Sequence, residues 1–219
     1  MSPVDYPARP SREGRRDAKR LIPSRRDDIA RSFVAVFPPE FVLAALAELR
    51  RKLEISLPGV RWVAPGNLHF TLRFFGDLTR EERTGAAEVL DAVVPARPVF
   101  PVELSGIGVF PDWRRPRILW VGASEGSEAL VDLARSLEHG FREAGLGRAD
   151  KPFVPHLTVG RWREGPPGAP EDAPTPWSSI GSMGAFPVVE VALIQSVLGP
   201  KGSTYTPLHR AALGSSGTA

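Results

Sequence analysis

The chain has no cysteine, which excludes a disulfide framework, a thiolate nucleophile and any cysteine-ligated metal. Long apolar runs are missing too: the longest, residues 41–47, falls far short of the roughly 20 residues that span a bilayer. The start of the chain lacks the charged-then-apolar pattern of a signal peptide, so a cytoplasmic location is expected. Histidine is scarce, with four in 219 residues, so the position of each is informative. Proline and glycine are plentiful: 23 and 21 residues suit many short elements joined by turns.

The charge is unevenly placed. The formal net charge is +3, yet residues 1–31 hold nine Lys or Arg against five acids, leaving the remainder at −1. Rich in Arg and Pro and poor in large apolar residues, 1–31 reads as a disordered basic tail that adds at most weak, salt-sensitive attraction to RNA. A solvated extension without a role is the simpler reading of it. Residues 32–213 are expected to form one domain of two lobes, followed by a short disordered tail over 214–219.

Within 32–213 the periodicity keeps changing. Residues 32–37 read as a buried strand that Pro38-Pro39 ends. The spacing of Val42, Leu46, Leu49 and Leu53 predicts a helix over 40–54, with Arg50, Arg51 and Lys52 well placed for its dipole. Thr79-Arg80-Glu81-Glu82 has the form of a capping box, opening a helix that carries Ala86, Val89, Leu90 and Val93 inward. Leu130, Leu133, Leu137 and Phe141 predict a third helix from Ser127, stopped at Gly145. Strands are expected at 60–63, 67–75, 99–104, 107–110, 117–122, 155–161, 188–197 and 204–208. Turn signals at Pro58-Gly59, Pro65-Gly66, 111–116 and 199–202 separate some of them, and a Pro- and Gly-rich loop spans 165–176. Strands and helices mixed without strict alternation argue for the α+β class with antiparallel sheets.

Two of these strands share a pattern. Asn67-Leu68-His69-Phe70-Thr71-Leu72-Arg73-Phe74-Phe75 and Pro155-His156-Leu157-Thr158-Val159-Gly160-Arg161 each carry His and Thr two residues apart among apolar neighbours. Alternate residues of a strand share a face, so each His points with its Thr, and the two pairs are expected to face one another across a cleft. Two imidazoles there suit a phosphate: one removes a proton from the attacking oxygen while the other donates to the leaving oxygen. The Thr hydroxyls can donate to the non-bridging oxygens, where charge builds. Arg161 adds a permanent positive charge, although strict alternation turns it away from His156 unless a bulge near Gly160 intervenes. No carboxylate stands beside either His, so no metal or other cofactor is expected.

A lone His on an apolar strand is usually a satisfied core residue; the second copy argues instead for a shared active site. His139 reads as a solvated surface residue, His209 as structural, Trp62 as core, and Arg114, Arg115 and Arg117 as a solvated turn. Phe153 and Tyr205 are candidates to stack a base.

Paired His-x-Thr strands with these flanks resemble the 2H phosphoesterase superfamily. More narrowly, the chain is similar to the bacterial and archaeal RNA 2′,3′-cyclic phosphodiesterases, also called 2′-5′ RNA ligases. The resemblance covers about residues 32–213 and includes Phe33-Val34-Ala35-Val36, Val60-Arg61-Trp62-Val63, Val109-Phe110-Pro111 and Arg117-Ile118-Leu119-Trp120 beside the two motifs. Phe75 stands where the family usually has Leu before the glycine. The resemblance implies a bilobal, pseudo-symmetric fold with two antiparallel sheets flanking a central groove and helices outside. It implies metal-free hydrolysis of RNA 2′,3′-cyclic phosphate ends to 2′-phosphates, with reversible 2′-5′ ligation as a companion activity. By that resemblance His69 is the proton donor to the leaving 3′-oxygen and His156 the proton acceptor from water. Thr71, Thr158 and Arg161 bind the phosphate. The expected partners are RNA ends or cyclic nucleotides as substrate, with no membrane, no obligate protein partner and a monomeric state. The alternatives are another cyclic nucleotide or an ADP-ribose cyclic phosphate as substrate, or a non-catalytic RNA-end-binding module.

Overall fold

The computed structural model describes residues 28–57, 59–163, 181–200 and 202–214. The expected tail up to residue 27, Pro58, the loop over 165–176, Lys201 and residues 215–219 lie outside these.

All three expected helices form where apolar spacing demands them. α1 (Glu40–Glu54) buries Val42, Leu46, Leu49 and Leu53. At the start of α2 (Arg80–Val93), Thr79 accepts from the Glu82 backbone N–H while the Glu82 carboxylate accepts from that of Thr79, the reciprocal cap read in the sequence. α3 (Ser127–Glu143) buries Leu130, Leu133, Ala134, Leu137 and Phe141.

Among the described residues nine strands accompany them: β1 (Ala30–Val36), β2 (Arg61–Trp62), β3 (Phe70–Leu78), β4 (Phe100–Phe110), β5 (Ile118–Ala123), β6 (His156–Arg161), β7 (Ala185–Val188), β8 (Glu190–Gly199) and β9 (Gly202–Ala212). They form two antiparallel leaves, β3-β1-β8-β9 and β7-β4-β5-β6, with β2 also on β6. The leaves join edge to edge at one residue pair between β3 and β6, so the hydrogen-bonded path is continuous. This is the expected α+β arrangement, with the last two strands returning to complete the first leaf.

Some elements differ from expectation. The strand expected from Ser32 starts at Ala30, which is buried. The strands expected at 99–104 and 107–110 are one, because Gly106, at φ 67, lets β4 shift register between Ser105 and Ile107 without breaking. The sequence reading missed β7. It is short and carries Pro187, tolerated where β7 ends the sheet order beside β4.

One face of the sheet carries the main core. Val34, Val36, Phe70, Leu72, Leu119, Val121 and Leu157 pack there with the buried faces of all three helices. On the opposite face a smaller cluster gathers Phe33, Ala35, Ala192 and Ile194 under Phe37 and Tyr205. Among the described residues no helix contributes to that cluster, and its face holds the groove.

Candidate active site

Phe70 and Leu157, the middle residues of the two His-x-Thr segments, are the one Cα pair joining β3 to β6. Both are wholly buried in the main core. Alternation therefore turns His69, Thr71, His156 and Thr158 together onto the groove face. Antiparallel pairing about this centre sets each His towards the Thr of the other motif. The two strands are thus edge-to-edge neighbours rather than opposed walls.

Both imidazoles are held alike. His69 Nδ1 lies 2.8 Å from the Asn67 carbonyl oxygen, and His156 Nδ1 lies 2.8 Å from that of Val154. A carbonyl oxygen can only accept, so Nδ1–H donates in each case and Nε2 is the nitrogen left for chemistry.

Their surroundings differ. The His69 ring stacks on Phe33 at 4.7 Å, tilts against Phe37 at 5.4 Å and meets the Tyr205 ring edge-on at 5.3 Å. The His156 ring meets Phe110 edge-on at 5.1 Å. Burial is the main cause that pulls the His69 pKa down to about 4; the Asn67 carbonyl opposes it, and the charges of Arg161 and His156 reinforce it. His156 is also lowered, again mainly by burial, with the Val154 carbonyl opposing and Arg161 reinforcing. One guanidinium thus acts on both rings.

Arg161 joins them through a bulge. Leu119 pairs with Gly160 and Trp120 with Thr158, so Val159 is left without a Cα partner in β5. The extra residue reverses the alternation: Gly160 and Trp162 turn inward while Arg161 faces solvent. A Cβ on Gly160 would lie 2.4 Å from Val60 Cγ1, so glycine leaves the room this crossing needs. β3 repeats the device, for Val34 pairs with Arg73 and Ala35 with Thr71, skipping Leu72. Each Thr is therefore followed by a bulge. Arg61 of β2 is the Cα partner of Arg161 and adds a second guanidinium beside it.

Trp120, opposite Thr158, lies across Gly108 and Gly122: a Cβ on Gly108 would fall 2.1 Å from the indole. The sequence reading missed Trp120, Phe110, Phe33 and Phe37 as site residues. The alternation Phe33, Ala35, Phe37 was a signal for two of them; the glycines under Trp120 are recognisable only once β4 and β5 pair.

The other candidates fall in different places. Tyr205 belongs to the groove-face cluster. Phe153 packs half-buried on the main core and, among the described residues, makes no ring contact with either groove His. His209 bonds Asp91 of α2 at 2.7 Å, and the exposed His139 lies 3.2 Å from Glu143. Trp62 packs on the core beneath the Arg50 guanidinium. Asp112 closes the 111–116 turn by accepting from the backbone N–H groups of Arg114 and Arg115. Among the described residues, no three His, Asp or Glu side chains are grouped to hold a metal ion, and no helix is long and apolar enough to cross a membrane.

The profile of the LigT-like phosphoesterase family matches the chain twice, over residues 36–120 and 121–205. The chain belongs to that family. Each match contains one His-x-Thr segment, which makes the internal repeat explicit. The RNA 2′,3′-cyclic phosphodiesterase of Aquifex aeolicus is 30% identical over 187 residues, 85% of this chain and 98% of its own length. That of Methanothermobacter thermautotrophicus is 35% identical over 184 residues, 82% and 96% of the two chains. Among crystal structures, TT0787 of Thermus thermophilus superposes with a TM-score of 0.73 at 33% identity, covering 85% of this chain and 99% of its own. Escherichia coli LigT complexed with 3′-AMP gives a TM-score of 0.66 at 27% identity, covering 84% and 98%.

Proposed function

We propose that this LigT-like chain hydrolyses RNA 2′,3′-cyclic phosphate ends to 2′-phosphates by a metal-independent mechanism using its two groove histidines. The observation that carries this reading is the Phe70–Leu157 pair, which puts both His-x-Thr pairs on one face about a common centre. The similarity to the RNA 2′,3′-cyclic phosphodiesterases of Aquifex and Methanothermobacter supports the substrate.

In this mechanism a water attacks the phosphorus in line with the 3′-oxygen. His156 Nε2 takes the proton from the water as the new P–O bond forms; His69 Nε2–H protonates the 3′-oxygen as the P–O3′ bond breaks. The product is a 2′-phosphate with a free 3′-hydroxyl, and exchange with solvent resets both rings. Thr71, Thr158 and Arg161 hold the non-bridging oxygens, where donors stabilise the developing charge. A 5′-hydroxyl in place of water gives a 2′-5′ linkage by the same roles. The donor must be charged when it acts, and the lowered pKa values keep both free rings neutral near pH 7. The anionic phosphodiester in the groove supplies the opposite field and raises them. Tyr205 is the base-stacking candidate beside His69.

The deeper lowering on His69 favours one competing assignment, with His156 as donor and His69 as acceptor. The test is hydrolysis, in excess chelator, of a short RNA ending in 2′,3′-cyclic phosphate, with the product isomer read by phosphorus NMR. His69→Ala and His156→Ala are run beside the wild type. A 2′-phosphate formed by the wild type and lost in both variants is expected. Turnover that the chelator abolishes would overturn the metal-free mechanism, and binding without turnover would leave a binding module. A substrate with sulfur at the 3′ position needs no protonation on leaving, so it should rescue the His69 variant alone. Rescue of His156→Ala instead would exchange the roles.

A further inference from the structure

The groove face continues past Thr71 to a feature the hydrolytic mechanism does not use. Phe74 is the residue that returns to this face after the bulge at Leu72, and its Cα partner is Phe33, the ring on which His69 stacks. It is 46% exposed, in contrast to Phe75, which packs edge-on against Phe141 in the main core. Among the described residues Phe74 joins neither hydrophobic cluster. Arg31, two residues before Phe33 and so on the same face of β1, places its guanidinium carbon 4.5 Å from the Phe74 ring centre. Asp77 is the Cα partner of Arg31, yet among the described residues no carboxylate forms an ion pair with it. The two leaves are here related: Phe74 stands in β3 where Arg161 stands in β6, each the second residue after the bulge. One leaf presents a cation directly, the other a ring carrying a cation.

An exposed ring topped by such a guanidinium recognises a nucleotide through two chemistries at once. The guanidinium plane stacks on a base with its other face, while its N–H edge donates to a phosphate. Phe74 is the cross-strand partner of Phe33, and such partners have Cβ atoms about 5 Å apart, so Phe74 stands beside the Phe33–His69 stack. In an RNA ending in a cyclic phosphate, only the 5′ side of the chain continues away from the reacting end.

We propose that Arg31 and Phe74 form a subsite for the penultimate nucleotide of an RNA substrate, the Arg31 guanidinium sandwiched between the Phe74 ring and that base while it binds the phosphodiester joining the last two nucleotides. The inference rests on the phosphodiesterase reading of the groove and deepens it: the enzyme prefers an RNA end to a free cyclic nucleotide.

The test compares uridine 2′,3′-cyclic phosphate with the diuridine carrying the same end, for the wild type, Arg31→Met and Phe74→Leu. The wild type should show kcat/KM roughly tenfold or more higher for the dinucleotide, mainly through KM, as expected of one stacked base and one phosphate contact. Each variant should lose most of that ratio with little change on the mononucleotide, and Arg31→Met should also reduce the salt dependence of the dinucleotide KM. Thermal melting checks that the variants fold. Equal losses on both substrates, or an unchanged ratio, would overturn the subsite. Calorimetric binding of uridine 2′-phosphate and of the diuridine with a 2′-phosphate end reads the subsite independently of turnover. Tighter binding of the dinucleotide by the wild type alone supports it; equal affinities overturn it. A wild type that turns over neither cyclic substrate overturns the hydrolytic reading, and the binding comparison still decides the subsite.

Discussion

His69 and His156 occupy near-copies of one backbone arrangement and experience different surroundings. Each donates Nδ1–H to the carbonyl two residues earlier, each precedes a buried residue and a Thr, and each motif ends in a bulge. His69, however, lies in a box of Phe33, Phe37 and Tyr205, while His156 meets Phe110 with Arg161 at the end of its own strand. Repetition of the strand makes the two rings equivalent in reach; the neighbours make them unequal in proton affinity. Such inequality is what acid–base division of labour requires.

The strongest way to break the comparison is to delete each ring in turn. His69→Ala and His156→Ala should each lower kcat on a cyclic phosphate end by roughly 10²–10⁴-fold, and the double variant should cost little more than the worse single one. Losses that simply multiply would mean the rings do not act on one phosphate.

Next comes the residue following each bulge, Arg73 in one leaf and Gly160 in the other. Arg73 is 5% exposed; it lies 3.0 Å from Glu138 of α3, and its guanidinium covers Phe75. Arg73→Met should cost roughly 3 kcal/mol, the low end for breaking a buried ion pair, because Glu138 remains 27% exposed. Urea denaturation measures this, and a near-zero change would remove the ion pair as an anchor of β3.

On the His156 side the floor is Trp120 resting on glycine. Gly108→Ala should displace the indole, cost about 1–3 kcal/mol and alter tryptophan emission, since the new methyl has no room. Unchanged emission and stability would contradict the close approach.

Proton affinity also appears in stability. His69 has its pKa lowered from near 6.5 to about 4, so the unfolded chain takes up the proton first as pH falls. Its contribution is complete above pH 6.5 and drains away towards pH 4. The fall in Tm across that window should shrink more in His69→Asn than in His156→Asn; equal slopes would erase the difference between the pockets.

The smallest effect contrasts the helix starts. α2 opens on the Thr79 capping box, whereas α3 opens on Gly126 with no side-chain cap. Thr79→Ala should cost about 1 kcal/mol in a thermal melt; no change would make the box dispensable.

Much of this was legible in the sequence because the signals were local. Apolar spacing located the three helices, Thr79 and Glu82 announced the cap of α2, and two His-x-Thr segments among apolar residues announced a repeated strand pattern, which the fold sets side by side. The joining of two expected strands through Gly106 and the Pro187-containing β7 were not legible, since both depend on how β4 is paired. Arg161 shows the boundary well: alternation alone turns it to the wrong face, and only the register between β5 and β6 reveals the bulge.

By itself, then, the order of residues determined which groups are available for chemistry and which helical faces are apolar, because both are written within a few neighbouring positions. The tertiary structure decided which rings surround each His, that Phe70 meets Leu157, and that Trp120 rests on Gly108. These depend on the partner strand and its register, which bring together residues far apart in the chain, and no local pattern specifies them.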